Sequence, residues 1–248
     1  MIKNKIIKLI ACDMDGTLLN ESGNISEGNR SAIKAAEATG VKVILSTGRA
    51  YMTCSEYAES LELSSYLITV NGSEIYDDKG LLIERNPVRT ELIQWMHDLS
   101  TKHKTRFWAV SADNVWRGKM PVDITQHEWL KFGFDFDEDT IKEEVYQLLM
   151  ENGTLEISNS SPTNLEINAL GINKAKAIEK VCSRMGITME NVMALGDSLN
   201  DIAMIKEAGI GVAMGNAQEI VREAADYVTN TNEDDGVARA IEKFVLNN

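Results

Sequence analysis

Cysteine, histidine and basic residues are all scarce in this chain of 248 residues. The three cysteines, Cys12, Cys54 and Cys182, lie far apart, and no Cys-x-x-Cys or Cys/His cluster joins them. That pattern argues against a disulfide framework or a structural zinc, and the expected setting is a reducing, cytoplasmic one. The three histidines, His97, His103 and His127, stand away from every motif described below, so a histidine-based triad has no candidate base. Lys plus Arg number 25 against 38 Asp plus Glu, a formal net charge of −13. Nucleic acid and anionic membranes need a basic face and are not expected as partners, whereas a small anionic substrate responds only to local charge. No apolar run approaches the length of a membrane span. The basic, then apolar N-terminal segment is not expected to be a signal peptide: its run over residues 6–12 is broken by Lys8 and closed by Asp13. Sequons at Asn24, Asn71, Asn152 and Asn159 carry no meaning without secretion.

What the chain does contain is a 44% hydrophobic fraction, enough for one large domain or two small ones. Residues 6–12 read as a buried strand, continuous and β-branched. Ser26 can cap a helix with apolar positions at Ile33, Ala36 and Ala38 that stops at Gly40. Strands over 41–45 and 66–70 enclose a helix over 51–61. Asn71-Gly72 and Asp78-Lys79-Gly80 are turn signals that flank a hairpin of residues 73–76 and 81–84. The rhythm then changes. A helix over 91–102 precedes a hairpin of 106–110 and 115–117, and a helix over 140–150 precedes strands at 154–158 and 164–168. All four tryptophans (Trp95, Trp108, Trp116 and Trp129), all three histidines and four of the five phenylalanines fall in this stretch. From Asn173 the alternation resumes, with strands at 192–195, 210–213 and 227–229 among helices ending at 185, over 199–208 and 217–224, and at the end. Alternation of this kind implies parallel pairing with right-handed crossovers. The expected fold is α/β: a doubly wound, Rossmann-like parallel-sheet core from residues 1–84 and 169–248, with an inserted α+β cap domain over 85–168. No internal repeat or low-complexity linker interrupts it.

Four constellations carry chemistry. Asp13-Met14-Asp15-Gly16-Thr17 lies where the first strand ends, the edge at which open α/β sheets bind ligands. Two carboxylates at i and i+2 can face one ligand and divide a job, one as nucleophile or metal ligand and the other as general acid/base. An ordinary acidic turn is the bland alternative. Ser46-Thr47-Gly48-Arg49 follows the second strand and offers a hydroxyl, a backbone N–H and a guanidinium to a phosphate. Lys174 opens a helix, where the dipole mildly disfavours a cation; alone it reads as a solvated lysine, and beside the other motifs countercharge for two carboxylates and a phosphate becomes the better reading. Gly196-Asp197-Ser198-Leu199-Asn200-Asp201 sets Asp197, Asn200 and Asp201 at i, i+3 and i+4 around a helix start. Asp197 acting as a helix cap would explain the first acid but not the second. Hard oxygen ligands with no His or Cys nearby in sequence suit Mg2+. Cys12 alternates to the face opposite Asp13 and reads as core. The aromatic residues of 85–168 read as a dense small-domain core, with one or two of them candidates for stacking on a substrate.

Asp13-x-Asp15-Gly16-Thr17-Leu18, Thr47-Gly48-Arg49, Lys174 and Gly196-Asp197-x-x-Asn200-Asp201 resemble the four motifs of the haloacid-dehalogenase-like phosphatases. The insert after the third strand resembles the large cap of the Cof-type group. Ala213-Met214-Gly215-Asn216-Ala217, Asn232 through Gly236-Val237 and the exit strand Leu165-Glu166-Ile167 are similar to that group too. Ala175 stands where a glycine is common. The resemblance implies a Mg2+-dependent phosphomonoester hydrolase of small phosphorylated metabolites. Asp13 would be the nucleophile that forms an aspartyl-phosphate, and Asp15 the acid/base that serves leaving group and water in turn. Metal ligands would come from Asp13, the Asp15 carbonyl and Asp197, with Asp201 either bound through water or anchoring Lys174. Thr47, Gly48, Arg49, Lys174 and Asn200 would hold the phosphate, Asn71-Gly72 would line the entrance, and the cap would close over the substrate. Family substrates include sugar phosphates, pyridoxal phosphate, flavin mononucleotide and the phosphate of ribitylaminouracil; the aromatic cap favours a ring-bearing one. A phosphomutase of the same superfamily is the nearest alternative, and a phospho-accepting binding module a more distant one. The sequence sets no oligomeric state.

Overall fold

Short apolar runs become buried strands wherever helices cover both faces. The computed structural model describes residues 5–247 and opens with β1 (Leu9–Cys12), every residue of it buried. The strand begins later than the apolar run does, because Ile6 is 74% exposed and lacks such cover. Helix α1 (Glu27–Ala38) is capped by the Ser26 side chain, which accepts the Asn29 N–H, and Gly40 follows its end at φ +92°. After β2 (Lys42–Ser46), the single helix expected over 51–61 is divided into a 3-10 turn, Tyr51–Thr53, and α2 (Ser55–Ser60). Cys54 between them, at φ −137°, breaks the helical path. β3 (Leu67–Thr69) ends in Val70 and Asn71, both at positive φ, and β4 (Glu74–Tyr76) and β5 (Leu82–Arg85) form the expected hairpin.

Next come α3 (Thr90–His103), β6 (Arg106–Ser111), β7 (Val115–Arg117), β8 (Trp129–Asp135), α4 (Asp139–Asn152), β9 (Leu155–Ser158) and β10 (Asn164–Ala169). The sequence reading omits β8, although its alternation of Phe132 and Phe134 with Lys131, Gly133 and Asp135 has the period of a strand. The chain returns through α5 (Lys174–Met185), β11 (Val192–Gly196), α6 (Ile202–Glu207), β12 (Ile210–Ala213), α7 (Glu219–Ala224), β13 (Tyr227–Val228) and α8 (Gly236–Ile241).

Two sheets result. The larger runs β13-β12-β11-β1-β2-β3-β4-β5, parallel from β13 to β3 and antiparallel over the last two strands. One of its faces packs Ile10, Cys12 and Val43 against Ile33 of α1 and Ile241 of α8. The other packs Leu9, Ala11 and Ile44 against Ile178 and Val181 of α5. Each such buried aliphatic side chain contributes about 1.5–3 kcal/mol. β1 pairs with β2 on one side and β11 on the other, so strand order reverses there and the loops beyond it part into a crevice.

The smaller sheet, β7-β6-β8-β10-β9, is wholly antiparallel. One face packs Ala109, Phe132, Phe134 and Ile167 on Ile93 and Met96 of α3 and Val145 and Leu149 of α4. Its other face meets the crevice, joined by an apolar cluster of Ala50, Val70, Val110 and Leu130. The three cysteines are free and buried. Among the described residues no helix is long and apolar enough to cross a membrane.

Candidate active site

The carboxyl ends of β1, β2 and β11 converge with the start of α5. Asp13 stays in register by donating its N–H to the Leu195 carbonyl at 3.0 Å. The turn after it needs glycine: Gly16 has φ +79°, and a Cβ there would lie 2.5 Å from Asp197 Oδ2. The loop is fastened from the far end of the chain. Asn216 Nδ2 donates to the Gly16 carbonyl at 2.8 Å, and Asn232 Nδ2 to the Leu19 carbonyl at 2.9 Å. These bonds give the two C-terminal motifs a physical role, which the sequence alone leaves unstated.

Lys174, fully buried as the first residue of α5, reaches Asp13 Oδ1 at 2.5 Å and Asp201 Oδ1 at 2.7 Å. Burial works against its charge, but the carboxylates of Asp13 and Asp201 outweigh burial and hold the amine protonated beyond its ordinary range. Asp201 spends its second oxygen on the N–H groups of Asp197 and Ser198, at 3.0 and 3.1 Å. Ser198 caps the short helical turn Leu199–Asp201, a role the sequence reading considers for Asp197. Asp197 instead accepts from Thr17 Oγ1 at 3.1 Å and Ser198 Oγ at 2.8 Å. Burial first, and Asp201 second, push its carboxyl up to about 6. Asp13 is raised as well, by burial foremost, with Lys174 opposing and Asp201 and Asp197 adding to it.

One carboxylate oxygen from each of Asp13, Asp197 and Asp201 lies within 4.8 Å of the others, an arrangement that can hold a metal ion. With all three carboxylates ionised, the single ammonium of Lys174 leaves 3 − 1 = 2 negative charges uncompensated at low dielectric, the strain that the raised Asp13 and Asp197 carboxyls register. An all-oxygen set with that deficit fits a hard divalent cation.

Asp15 is exposed and held by a two-pronged contact with Arg49, whose Nη2 and Nε lie at 2.6 and 2.8 Å from its oxygens. That bond raises the Arg49 guanidinium above its ordinary range, burial opposing. Arg49, read from sequence as a phosphate donor, is thus occupied by Asp15 in this state. Thr47 is buried, and its Oγ1 accepts the Arg49 N–H at 3.1 Å. Gly48 and Asn200 line the same cavity as Asp13 and Asp15, a volume of about 510 Å³. Asn200 donates to Asn71 Oδ1 at 3.3 Å, and its own Oδ1 is buried without a partner among the described residues.

Asn71 does not line the entrance. It is 2% exposed, because the positive-φ turn after β3 directs its side chain inward, where Nδ2 donates to Glu166 Oε2 at 2.6 Å. That contact opens a network the sequence reading misses. Lys131 of β8 bridges Glu166 Oε2 at 2.9 Å and the Gly48 carbonyl at 2.7 Å, and Ser160 Oγ donates to Glu166 Oε1 at 2.7 Å. Burial resists the charge on Glu166, yet Lys131, Ser160 and Asn71 hold its carboxyl below the usual range. Two backbone links lie beside the network: Asn200 N–H donates to the Asn159 carbonyl at 3.0 Å and Ser198 Oγ to the Ser160 carbonyl at 3.1 Å. A charged residue inside an aromatic strand, Lys131, was the available signal.

Known proteins resemble this chain along nearly its whole length. The chain is 64% identical over 240 residues to 5-amino-6-(5-phospho-D-ribitylamino)uracil phosphatase YcsE of Bacillus subtilis, covering 97% of this chain and 96% of that one. It is 33% identical over 249 residues to a phosphoglycolate phosphatase of Methanobrevibacter smithii, covering 97% and 99%. A solved haloacid dehalogenase-like hydrolase from B. subtilis shares the fold with a TM-score of 0.88 at 24% identity, covering 95% of this chain and 99% of that one. The sequence model of the haloacid dehalogenase-like hydrolases matches residues 10–128 and 121–241. The chain belongs to the haloacid dehalogenase-like hydrolase family.

Proposed function

We propose that this chain is a Mg2+-dependent phosphomonoesterase that works through an aspartyl-phosphate on Asp13, and that its substrate is 5-amino-6-(5-phospho-D-ribitylamino)uracil. The observation that carries the chemistry is the buried pair of Asp13 with Lys174 inside an acidic cluster that, when ionised, is two charges short of neutrality, with Asp13 lining the cavity. The substrate follows from the 64% identity to an enzyme of that name across nearly the whole chain.

Asp13, Asp197 and the Asp15 carbonyl would hold Mg2+, which supplies countercharge to phosphate oxygens. Asp201, with both oxygens already engaged, acts as the anchor of Lys174 and of the loop. An Asp13 oxygen attacks phosphorus while Lys174 and the Thr47 hydroxyl, the Gly48 N–H and the Asn200 amide hold the phosphoryl oxygens in line. Asp15 gives its proton to the departing alkoxide. It then takes a proton from the water that attacks the phosphorus of the aspartyl-phosphate, releasing inorganic phosphate and restoring Asp13. To do this Asp15 must first leave Arg49, and the substrate phosphate is an alternative anion for that guanidinium. Residues 85–168 act as the cap that encloses the ester, with Glu166 and Lys131 closing against Asn71 and Gly48.

Phosphate release from the ester is the test. Turnover is expected to stop in EDTA and return with Mg2+; turnover that persists in EDTA overturns the metal assignment.

A further inference from the structure

The five-stranded sheet spends only one face on packing against helices. Its pleat sends Phe132 and Phe134 toward α3 and α4 and places Lys131 and Gly133, which alternate with them, on the opposite face, where Lys131 lines the cavity. The register shows what stands on that open face. Arg117 of β7, Trp108 of β6, Gly133 of β8 and Glu166 of β10 lie side by side in one row. The row carries a charge at Glu166, which Lys131 neutralises, and is aromatic at Trp108.

Gly133 explains how Trp108 sits. A Cβ at that position would lie 2.1 Å from Trp108 Cε2 and 2.3 Å from Cζ2, so the indole occupies the space that any side chain at 133 would fill. The ring is therefore laid against the sheet rather than standing off it, and it is only half-buried, with cavity on its free side. Arg117 borders the same cavity, is exposed, and makes no ion pair among the described residues. An indole face beside an unpaired guanidinium is a surface for a planar, carbonyl-bearing ring, through stacking on the one and hydrogen bonding to the other.

We propose that Trp108, seated in the space left by Gly133 and flanked by Arg117, is the subsite for a planar heteroaromatic ring in the leaving group, so that the enzyme prefers phosphate esters of ring-bearing polyols to the bare polyol phosphate. The inference rests on the phosphomonoesterase reading of the same cavity. It places the phosphate at Asp13, the hydroxylated chain near Lys131 and Glu166, and the ring on Trp108.

The test compares kcat/KM for two esters that share phosphate and chain and differ in the ring: 5-amino-6-(5-phospho-D-ribitylamino)uracil and D-ribitol 5-phosphate. In the native enzyme the ratio is expected to favour the ring ester. Trp108→Leu is expected to lower that ratio about tenfold or more, the scale of losing one stacked base. Gly133→Val, which displaces the indole without removing it, is expected to lower it in the same direction. A ratio unchanged in both variants overturns the subsite, whatever happens to the absolute rates, because a merely structural role would depress both esters together. If Trp108→Leu does not fold, Trp108→Phe takes its place: it keeps a smaller ring and is expected to give a smaller fall, and an unchanged ratio there overturns the subsite equally. Native enzyme that releases phosphate from neither ester overturns the substrate reading and the subsite with it, whereas normal native turnover with an unchanged ratio removes the subsite alone.

Discussion

Two buried lysines of this molecule stand in opposite charge environments. Lys174 lies among Asp13, Asp197 and Asp201 at the strand ends of the larger sheet, in a cluster that remains two negative charges in excess. Lys131 lies on the open face of the smaller sheet against Glu166 alone, and that pair is neutral, with Asn71, Ser160 and the Gly48 carbonyl completing its hydrogen bonds. A buried cluster left in charge deficit stores a demand for a cation and an ability to react. A balanced and fully bonded pair stores neither, and serves to fix two surfaces against each other. In the proposed mechanism chemistry and closure would thus fall to the same kind of residue, separated by charge balance.

The comparison can be broken at several points. Asp13→Asn removes the proposed nucleophile and is expected to lower kcat by at least about four orders of magnitude with the circular dichroism spectrum unchanged; near-native turnover would end the assignment. Asp15→Asn leaves attack on phosphorus possible but removes the proposed proton donor and acceptor. Its kcat is expected to fall by about 10²–10⁴-fold, with both half-reactions slowed in a pre-steady-state assay. Lys131→Met strands Glu166 as a buried charge and is expected to cost about 3–5 kcal/mol in urea unfolding, part of it regained in Lys131→Met with Glu166→Leu. A cost under about 1 kcal/mol would show that the pair does not hold the surfaces together.

The smallest effect sharpens the contrast, because it reverses the usual sign. Asp197 is raised to about 6, by burial first and Asp201 second, from an ordinary 3.8. An acid raised in the folded state binds its proton more tightly there than when unfolded. Its ionisation therefore lowers stability as pH climbs from about 4 through about 6, and the full penalty is present at pH 7.5. In metal-stripped protein at that pH, Asp197→Asn is expected to raise Tm, by roughly 2–4 °C for each kcal/mol relieved. Added Mg2+ should raise the Tm of the native chain more than that of the variant. A lower Tm in the metal-free variant contradicts the charge-deficit account.

Much of the larger sheet and its acidic cluster was legible in the sequence, because each motif sits directly after an apolar run and each is local. Asp13 to Thr17 and Gly196 to Asp201 carry their spacing with them. The pairing of Lys131 with Glu166 and of Asn71 with Glu166 joins residues 35 and 95 positions apart, and no local pattern announces either. β8 is hidden in the sequence because its aromatic density reads as core, although the alternation of Lys131 and Gly133 with Phe132 and Phe134 states which face each residue takes. The Asp15 contact with Arg49 could not be read either, since a loop arginine near a phosphate motif is equally at home on phosphate or carboxylate.

The central claim is that Asp13 itself carries the phosphoryl group. Borohydride reduces an acyl phosphate, so enzyme trapped with borohydride during turnover and mapped by peptide mass spectrometry reports the site directly. The account predicts reduction of Asp13 to the corresponding alcohol, dependent on substrate and enhanced in Asp15→Asn, whose intermediate decays slowly. Turnover with Asp13 unmodified, or with the modification on another residue, would contradict it.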